Sequence, residues 1–465
     1  MAKTFRRYEP NQLLLLPPDM REWLPEGHIA LFISDVVDEL DLSSILDEYE
    51  KGDGRGFPPH HPVMMVKLLL YGYCTGVFSS RKIERATYED VPFRVLAADT
   101  HPDHTAIATF RKRHLQALGG LFLQVLRLCQ KAGLVKLGHV AFDGSKVRAN
   151  ASKHKAMSYA RMTEAEKRLE AEIKKLLERA RQVDEAEDAL YGKDKRGDEL
   201  PEELRRRESR LQKIREAKAA LEHEAKEAAK QKAAEAEAKI EERKRTAEEK
   251  GKKPGGHDPK VPDPEQAVPD AKAQKNFTDP ESRIMKDGAS KSFEQCYNAQ
   301  AAVDATAQVI VACEVVQASN DKQQLAPMMA MVEAATGRKP EQASADSGYF
   351  SEAAVRDARV AGVDLYVAVD KVRHSDVVEE VSGAPPEDAS IRDQMRHKLK
   401  TSEGRQIYGR RKAVVEPVFG QIKEVRGFRR FSMRGVEAVK AEWSLVCLTH
   451  NLLKLFRAGG VAQPA

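Results

Sequence analysis

Residues 139–145, His-Val-Ala-Phe-Asp-Gly-Ser, decide how the rest of the chain is read. A short apolar run stops at an aspartate and a glycine, residues that turns select, which predicts a strand closing at Asp143. Upstream, over about 27–137, the texture is helical. Ile29, Phe32, Ile33, Val36 and Val37 recur at helical spacing, 63–73 follows a Pro-rich turn, and 121–128 is strongly apolar. Ser79 or Ser80 and Asp103 or Thr105 are placed to cap further helices. Short capped helices with the basic run Phe110-Arg-Lys-Arg-His114 fit a helix-turn-helix-type DNA-binding module, and they fit any small helical bundle as well.

Downstream the texture changes twice. Residues 158–250 are almost free of aromatics and rich in Glu, Lys, Arg and Ala. Leu169, Ile173, Leu176, Ala180 and Val183, then Leu204, Leu211, Ile214 and Leu221, keep a heptad rhythm on either side of a polar turn at 192–201. That pattern predicts an antiparallel helical hairpin with a coiled-coil seam. Prolines and glycines then cluster among charges, as in a linker. Strand texture returns at 298–303, 308–316, 341–345 and 364–369. A helix bearing Leu325, Met328, Met329 and Val332 is capped near Asn320, a polar loop covers 375–387, and helices follow Arg410. The expected organisation is a helical N-terminal DNA-binding domain (1–137), an α/β domain (138–150 with 291–457), a helical hairpin inserted in it (151–250) and a Pro/Gly-rich linker (251–290).

Charge and composition narrow the function. The 465 residues carry 77 Lys+Arg against 72 Asp+Glu, a net +5 that says little until it is located, and the 41% hydrophobic content excludes wholesale disorder. Between Arg405 and Lys440, ten cations face three acids, so phosphate is the counter-ion to look for. The apolar runs fall far short of the ~20 residues that span a bilayer. With no signal-peptide pattern at the N-terminus, the expectation is a soluble protein inside the cell. Five scattered cysteines without a C-x-x-C pair indicate neither a zinc ribbon nor a disulfide scaffold.

Three acids draw attention. Asp143 and Asp346 each end an apolar strand before a glycine. Turn preference explains either alone, but a pair on neighbouring strands could hold a divalent cation through hard oxygens. Glu416 lies beside the apolar face made by Val415, Val418, Phe419 and Ile422. With Gly420 and Lys423 it forms a stripe about 10 Å long. Pro417 is harmless if that helix starts near Val414, where Glu416 would also suit the helix dipole. His101-Pro-Asp-His104 reads as a helix cap before a metal site, and Trp23 and Trp443 read as core anchors.

Asp143-Gly-Ser-Lys-Val-Arg-Ala-Asn-Ala-Ser, Tyr297-Asn-Ala-Gln-Ala-Ala-Val-Asp, Ala345-Asp-Ser-Gly-Tyr-Phe and Val415-Glu-Pro-Val-Phe-Gly-Gln-Ile-Lys423, in this order, resemble the DDE transposases of bacterial insertion sequences, in particular the InsH-like branch. The N-terminal helices resemble that branch's N-terminal domain, so the resemblance spans nearly the whole chain. It implies an RNase H-like α/β catalytic domain with Asp143 on its first strand, Asp346 after its fourth and Glu416 on a late helix, the three binding two Mg²⁺ (or Mn²⁺) ions. The branch's Tyr, Arg, Glu, Lys signature is met by Glu416 and Lys423. Tyr408 and Arg411 keep their mutual spacing but stand one residue too far from Glu416, and Lys412 occupies the place of the Arg.

The activity implied is metal-dependent cleavage and strand transfer at terminal inverted repeats, by a homodimer on double-stranded DNA in the bacterial cytoplasm, associated with the nucleoid. Lys423, Arg411 or Lys412 would neutralise phosphates, with Arg426, Arg429 and Arg430 adding backbone contacts. Two other readings remain: an inactive DNA-binding or scaffolding relative, and an RNase H-like nuclease that cuts without joining.

Overall fold

The computed structural model describes residues 19–50, 58–191, 202–249, 258–286, 292–370, 380–386 and 388–459. Chain contacts divide it into two compact units, Met1–Val147 with Asn298–Ala465, and Arg148–Tyr297. In the first unit, among the described residues, seven helices precede the strands: α1 (Ile29–Glu39), α2 (Ser43–Glu50), α3 (Pro62–Thr75), α4 (Ser80–Glu89), α5 (Val91–Leu96), α6 (His104–Arg113) and α7 (Leu115–Lys131). Asp103 caps α6 by accepting from the Ala106 N–H at 2.8 Å, so the His101–His104 cluster is a cap, as its spacing indicated. α3 ends on Gly76 at φ +84°, where a Cβ would strike the Arg426 carbonyl oxygen at 2.6 Å.

β1 spans His139–Arg148, so the chain does not turn at Asp143. The glycine that signalled a turn serves another need: a Cβ on Gly144 would overlap the Gln300 amide and lie 2.8 Å from Asp321 Oδ1.

The second unit holds β2 (Ala156–Ser158), α8 (Tyr159–Tyr191), α9 (Glu202–Glu249), β3 (Gln274–Asn276) and β4 (Arg283–Lys286). Met162, Ala165 and Leu169 of α8 pack against Leu211, Ile214, Ala217 and Leu221 of α9, the pairing that the heptad rhythm predicts. Arg215 and Lys218 reach Glu166 at 3.1 and 2.9 Å across the seam, and Arg207 reaches Glu172 at 3.1 Å. These partly solvent-exposed pairs are each worth about 1 kcal/mol or less, so the apolar seam carries the packing. The connecting turn at 192–201 and the side chains of Ala180, Val183 and Leu204 lie outside the described residues. The stretch expected as linker contains two strands. β3 pairs antiparallel with β2 (Ala156↔Asn276), and β4 pairs with residues 293–296. Strands of three and four residues are too short to leave a period in the sequence.

Back in the first unit, the chain forms β5 (Phe293–Asp304), β6 (Ile310–Val316), α10 (Leu325–Thr336), β7 (Gln342–Ala345), α11 (Glu352–Arg356), β8 (Asp364–Val367), α12 (Ile391–Lys400), α13 (Ser402–Gly420) and α14 (Val436–Arg457). Its sheet runs β6-β5-β1-β7-β8; β5 and β6 are antiparallel, and β1, β7 and β8 are parallel. α14 is largely buried between Val439 and Leu455. Trp443 is fully buried there and donates its indole N–H to the Gln300 carbonyl at 2.9 Å, a core anchor as expected. Trp23, by contrast, is 38% exposed, with the Arg94 guanidinium 5.4 Å above its ring.

α13 corrects a local reading. The helix starts at Ser402, not near Val414, so Pro417 sits in its interior and Glu416 is not a first-turn acid. An interior proline leaves the carbonyl four residues earlier without its donor. Here that carbonyl, Ala413, accepts from Gln308 Nε2 at 2.9 Å. Gln308 is held for the task at the β5–β6 turn, with φ +59° and its own oxygen receiving Lys454 Nζ at 2.7 Å. Past Gly420 the helix widens into a π-helical turn, Gln421–Val425.

Candidate active site

The parallel register of β1 and β7 pairs Phe142 with Ala345, which brings the residues that follow, Asp143 and Asp346, side by side. Each carboxylate is steadied locally: Asp143 Oδ1 accepts from the Gly144 N–H at 2.9 Å, and Asp346 Oδ1 from the Gly348 N–H at 2.8 Å. A third acid, Asp321, joins them from the loop after β6. Its Oδ1 accepts from the amides of Asn298 (2.7 Å) and Gln300 (2.6 Å), both on β5. A Cβ on Gly348 would stand 2.9 Å from Asp346 Oδ1 and 3.2 Å from Asp321 Oδ2, so these two carboxylates border one small space kept open by glycine. The Tyr349 hydroxyl donates to the side-chain oxygen Oε1 of Gln300 and completes the frame.

Burial and crowding shift the titration of Asp143 and Asp321. Burial pushes Asp143 up to about 6; Arg411 opposes this, and Asp346 and Asp321 add to it. Asp321 is also raised, by burial first, against the pull of its two amide donors. Arg411 sits 3.4 Å from Asp143 Oδ2 and is only 7% exposed. Burial works against its charge, but Asp143, Tyr408 and Asp346 more than offset that and raise it. The Tyr408 ring lies 5.8 Å from this guanidinium, and burial raises its hydroxyl.

The remaining sequence candidates divide. Lys423 donates to the Lys146 carbonyl of β1 at 2.8 Å. Glu416 is exposed on α13 between the two residues, Arg411 and Lys423, that reach β1, and it is not among the charges acting most on Asp143. Among the described residues, no three His, Cys, Asp or Glu side chains form a group that could hold a metal ion. Lys412 and Arg430 are exposed, and Arg429 pairs with Glu424.

Arg426 is a correction. It is 5% exposed, and Nη1 donates to Thr449 Oγ1 at 2.8 Å, the Val446 carbonyl at 3.2 Å and the Tyr73 carbonyl at 3.4 Å. Its charge is spent inside the core and cannot meet a phosphate. Asp321 was missed: the sequence reads a helix cap near Asn320, whereas α10 begins at Leu325 and the Asp321 side chain accepts from Asn298 and Gln300 beside Asp346.

Two family models match the chain. A transposase domain (DUF772) covers 18–113, the early helices, and a transposase DDE domain covers 383–456, which includes Arg411, Glu416 and Lys423. Together they support a DDE transposase of the insertion-sequence type. Both domain descriptions name transposases, which supports a transposase function. Compared with curated proteins and with solved structures, the chain has no match.

Proposed function

We propose that the protein is the transposase of an insertion sequence, with an RNase H-like catalytic domain that cleaves DNA at terminal inverted repeats and joins the freed ends to target DNA. The observation that carries this reading is the juxtaposition of Asp143 and Asp346. Counted among the strands of the first unit, their strands are the first and the fourth, and the DDE domain match follows them in the chain.

Asp143 and Asp346 offer hard carboxylate oxygens, the donor type a divalent cation takes, and burial with the neighbouring acids raises Asp143 against the pull of Arg411. Asp143 and Asp346 would hold Mg²⁺ or Mn²⁺, with Glu416 as the third carboxylate. The ions would activate the attacking oxygen and stabilise the leaving one at phosphorus. Glu416 stands five residues from Arg411, about 7.5 Å of helix rise, and Arg411 already touches Asp143. A second reading gives the third place to Asp321, favoured by its position beside Gly144 and Gly348. Comparing Glu416→Gln with Asp321→Asn decides, since only the ligand's loss should change the metal concentration that half-activates cleavage by tenfold or more.

The chain's other residues orient and neutralise. Arg411 balances the acids, with Tyr408 beside it. Lys412, Lys423, Arg429 and Arg430 would contact flanking phosphates. The glycines keep the space open, so Gly144→Ala should slow cleavage by about 10- to 100-fold with helix content unchanged by circular dichroism, because displacing Asp321 and Gln300 moves the site's frame.

The test is incubation of the full chain with DNA bearing the inverted repeats that bracket its gene, plus Mg²⁺. Strand cleavage and joined products, both lost in Asp143→Asn, are expected. Cutting without joining would give the nuclease reading, and binding without cutting the inactive one.

A further inference from the structure

α9 carries its positive charge on two faces with different fates. Arg207, Arg215 and Lys218 are taken up by Glu172, Glu166 and Glu170 of α8. On another face, Arg206, Ser209, Arg210 and Lys213 follow at i, i+3, i+4 and i+7 and line a cavity of about 800 Å³. Arg205 of the same helix, Lys155 beside β2 and Arg161 of α8 add three more cations to its wall. The lining contains no Asp or Glu, and Met157, Ile214 and Phe277 form an apolar floor joined to the seam of the hairpin. Among the described residues, Lys155, Arg161, Arg205, Arg210 and Lys213 have no ion-pair partner. These five, converging on one concave wall with no acid in its lining, repel one another and are stabilised by an anion.

We infer that this groove in the second unit binds the phosphodiester backbone of duplex DNA, as a contact surface separate from the carboxylate site. Four of the six cations are arginines, whose planar forks match phosphate oxygens in pairs. Arg206 and Lys213 stand about 10 Å apart along α9, room for two or three phosphates of one strand at about 3.4 Å of rise each. No base-reading geometry is needed, so the contact is independent of sequence. The choice of DNA over an acidic peptide rests on the transposase reading.

In the full chain, Arg205→Ala/Arg210→Ala/Lys213→Ala should weaken binding to a duplex of arbitrary sequence by at least about tenfold at 0.1 M salt. The slope of log affinity against log salt should fall by about 2 to 3, at about 0.9 per lost phosphate contact. Lys230→Ala, on the same helix but paired with Glu227, should change neither. Circular dichroism would confirm that the triple variant keeps its helices.

A direct readout is Ser209→Cys carrying a photo-crosslinker, placed on a chain whose five natural cysteines are all buried. Crosslinking to duplex DNA, competed by more duplex and not by ATP or polyglutamate, is the expected result. Crosslinking to polyglutamate, ATP or single-stranded RNA in preference to duplex overturns the inference, as does an unchanged salt slope. Cleavage of inverted-repeat ends without a Ser209→Cys crosslink sinks the groove and leaves the transposase reading standing. A crosslink without cleavage does the reverse.

Discussion

Asp143→Asn should lower metal-dependent cleavage by about a thousandfold and, in the same molecule, stabilise the metal-free protein. The first effect follows from removing a charged metal oxygen, whose several kcal/mol of transition-state stabilisation convert at 1.36 kcal/mol per tenfold. The second follows from titration. Asp143 is raised from 3.8 to about 6 by burial, with Asp346 and Asp321 adding to the shift against Arg411. Between those two pH values the folded protein binds more protons than the unfolded one, so stability falls as pH rises. The cost is complete above about pH 6 and absent below about pH 4.

A neutral asparagine escapes that cost. The metal-free variant should therefore be more stable than the natural protein by about 2 to 3 kcal/mol at pH 7.5, with the advantage vanishing by pH 4. Urea unfolding at the two pH values reads it directly. Added Mg²⁺ should stabilise the natural protein and leave the variant unmoved. A variant less stable at pH 7.5 would show that Arg411 outweighs the crowding.

Arg426→Met should cost about 3 kcal/mol of stability and leave DNA contacts intact. Its guanidinium is 5% exposed and lowered to about 10 by burial, with the fields of Cys74 and Cys447 opposing. It therefore stays charged near neutral pH while serving the oxygens of Tyr73, Val446 and Thr449. Methionine fills part of the volume but leaves those acceptors with fewer donors. The urea midpoint should drop while the salt slope of DNA binding stays constant. Arg430→Ala, on an exposed neighbour, should do the opposite: no loss of stability and a slope smaller by about 0.9. A stable Arg426→Met with a reduced slope would return that residue to the DNA surface.

These contrasts show where sequence reasoning reaches and where it stops. That Asp143 and Asp346 lie on neighbouring strands was legible because an apolar run that stops at an acid is a local pattern. The buried face of α13 and of the π-helical turn after it was legible because Val415, Val418, Phe419 and Ile422 keep a helical period. The hairpin seam of Leu169, Leu211, Ile214 and Leu221 was legible for the same reason.

Arg426 was not, because a run of arginines has the same letters whether a side chain points to solvent or into a core. Asp321 was not, because its partners Asn298 and Gln300 lie on a different strand more than twenty residues away. Gly144 was misread for a related reason: a glycine demanded by the close approach of Gln300 and Asp321 looks, in one dimension, like a glycine demanded by a turn. Pro417 misled about the start of α13 because the compensating donor, Gln308, is distant in the chain.

That Asp143 supplies an oxygen to a catalytic divalent ion is tested most directly by changing the softness of that ligand. In Asp143→Cys, cleavage of inverted-repeat DNA should be lost with Mg²⁺, which prefers oxygen, and should return in part with Mn²⁺, which tolerates a thiolate better. Cleavage at the natural rate in Mg²⁺, or no recovery in Mn²⁺ by a variant that folds and binds DNA normally, would contradict it.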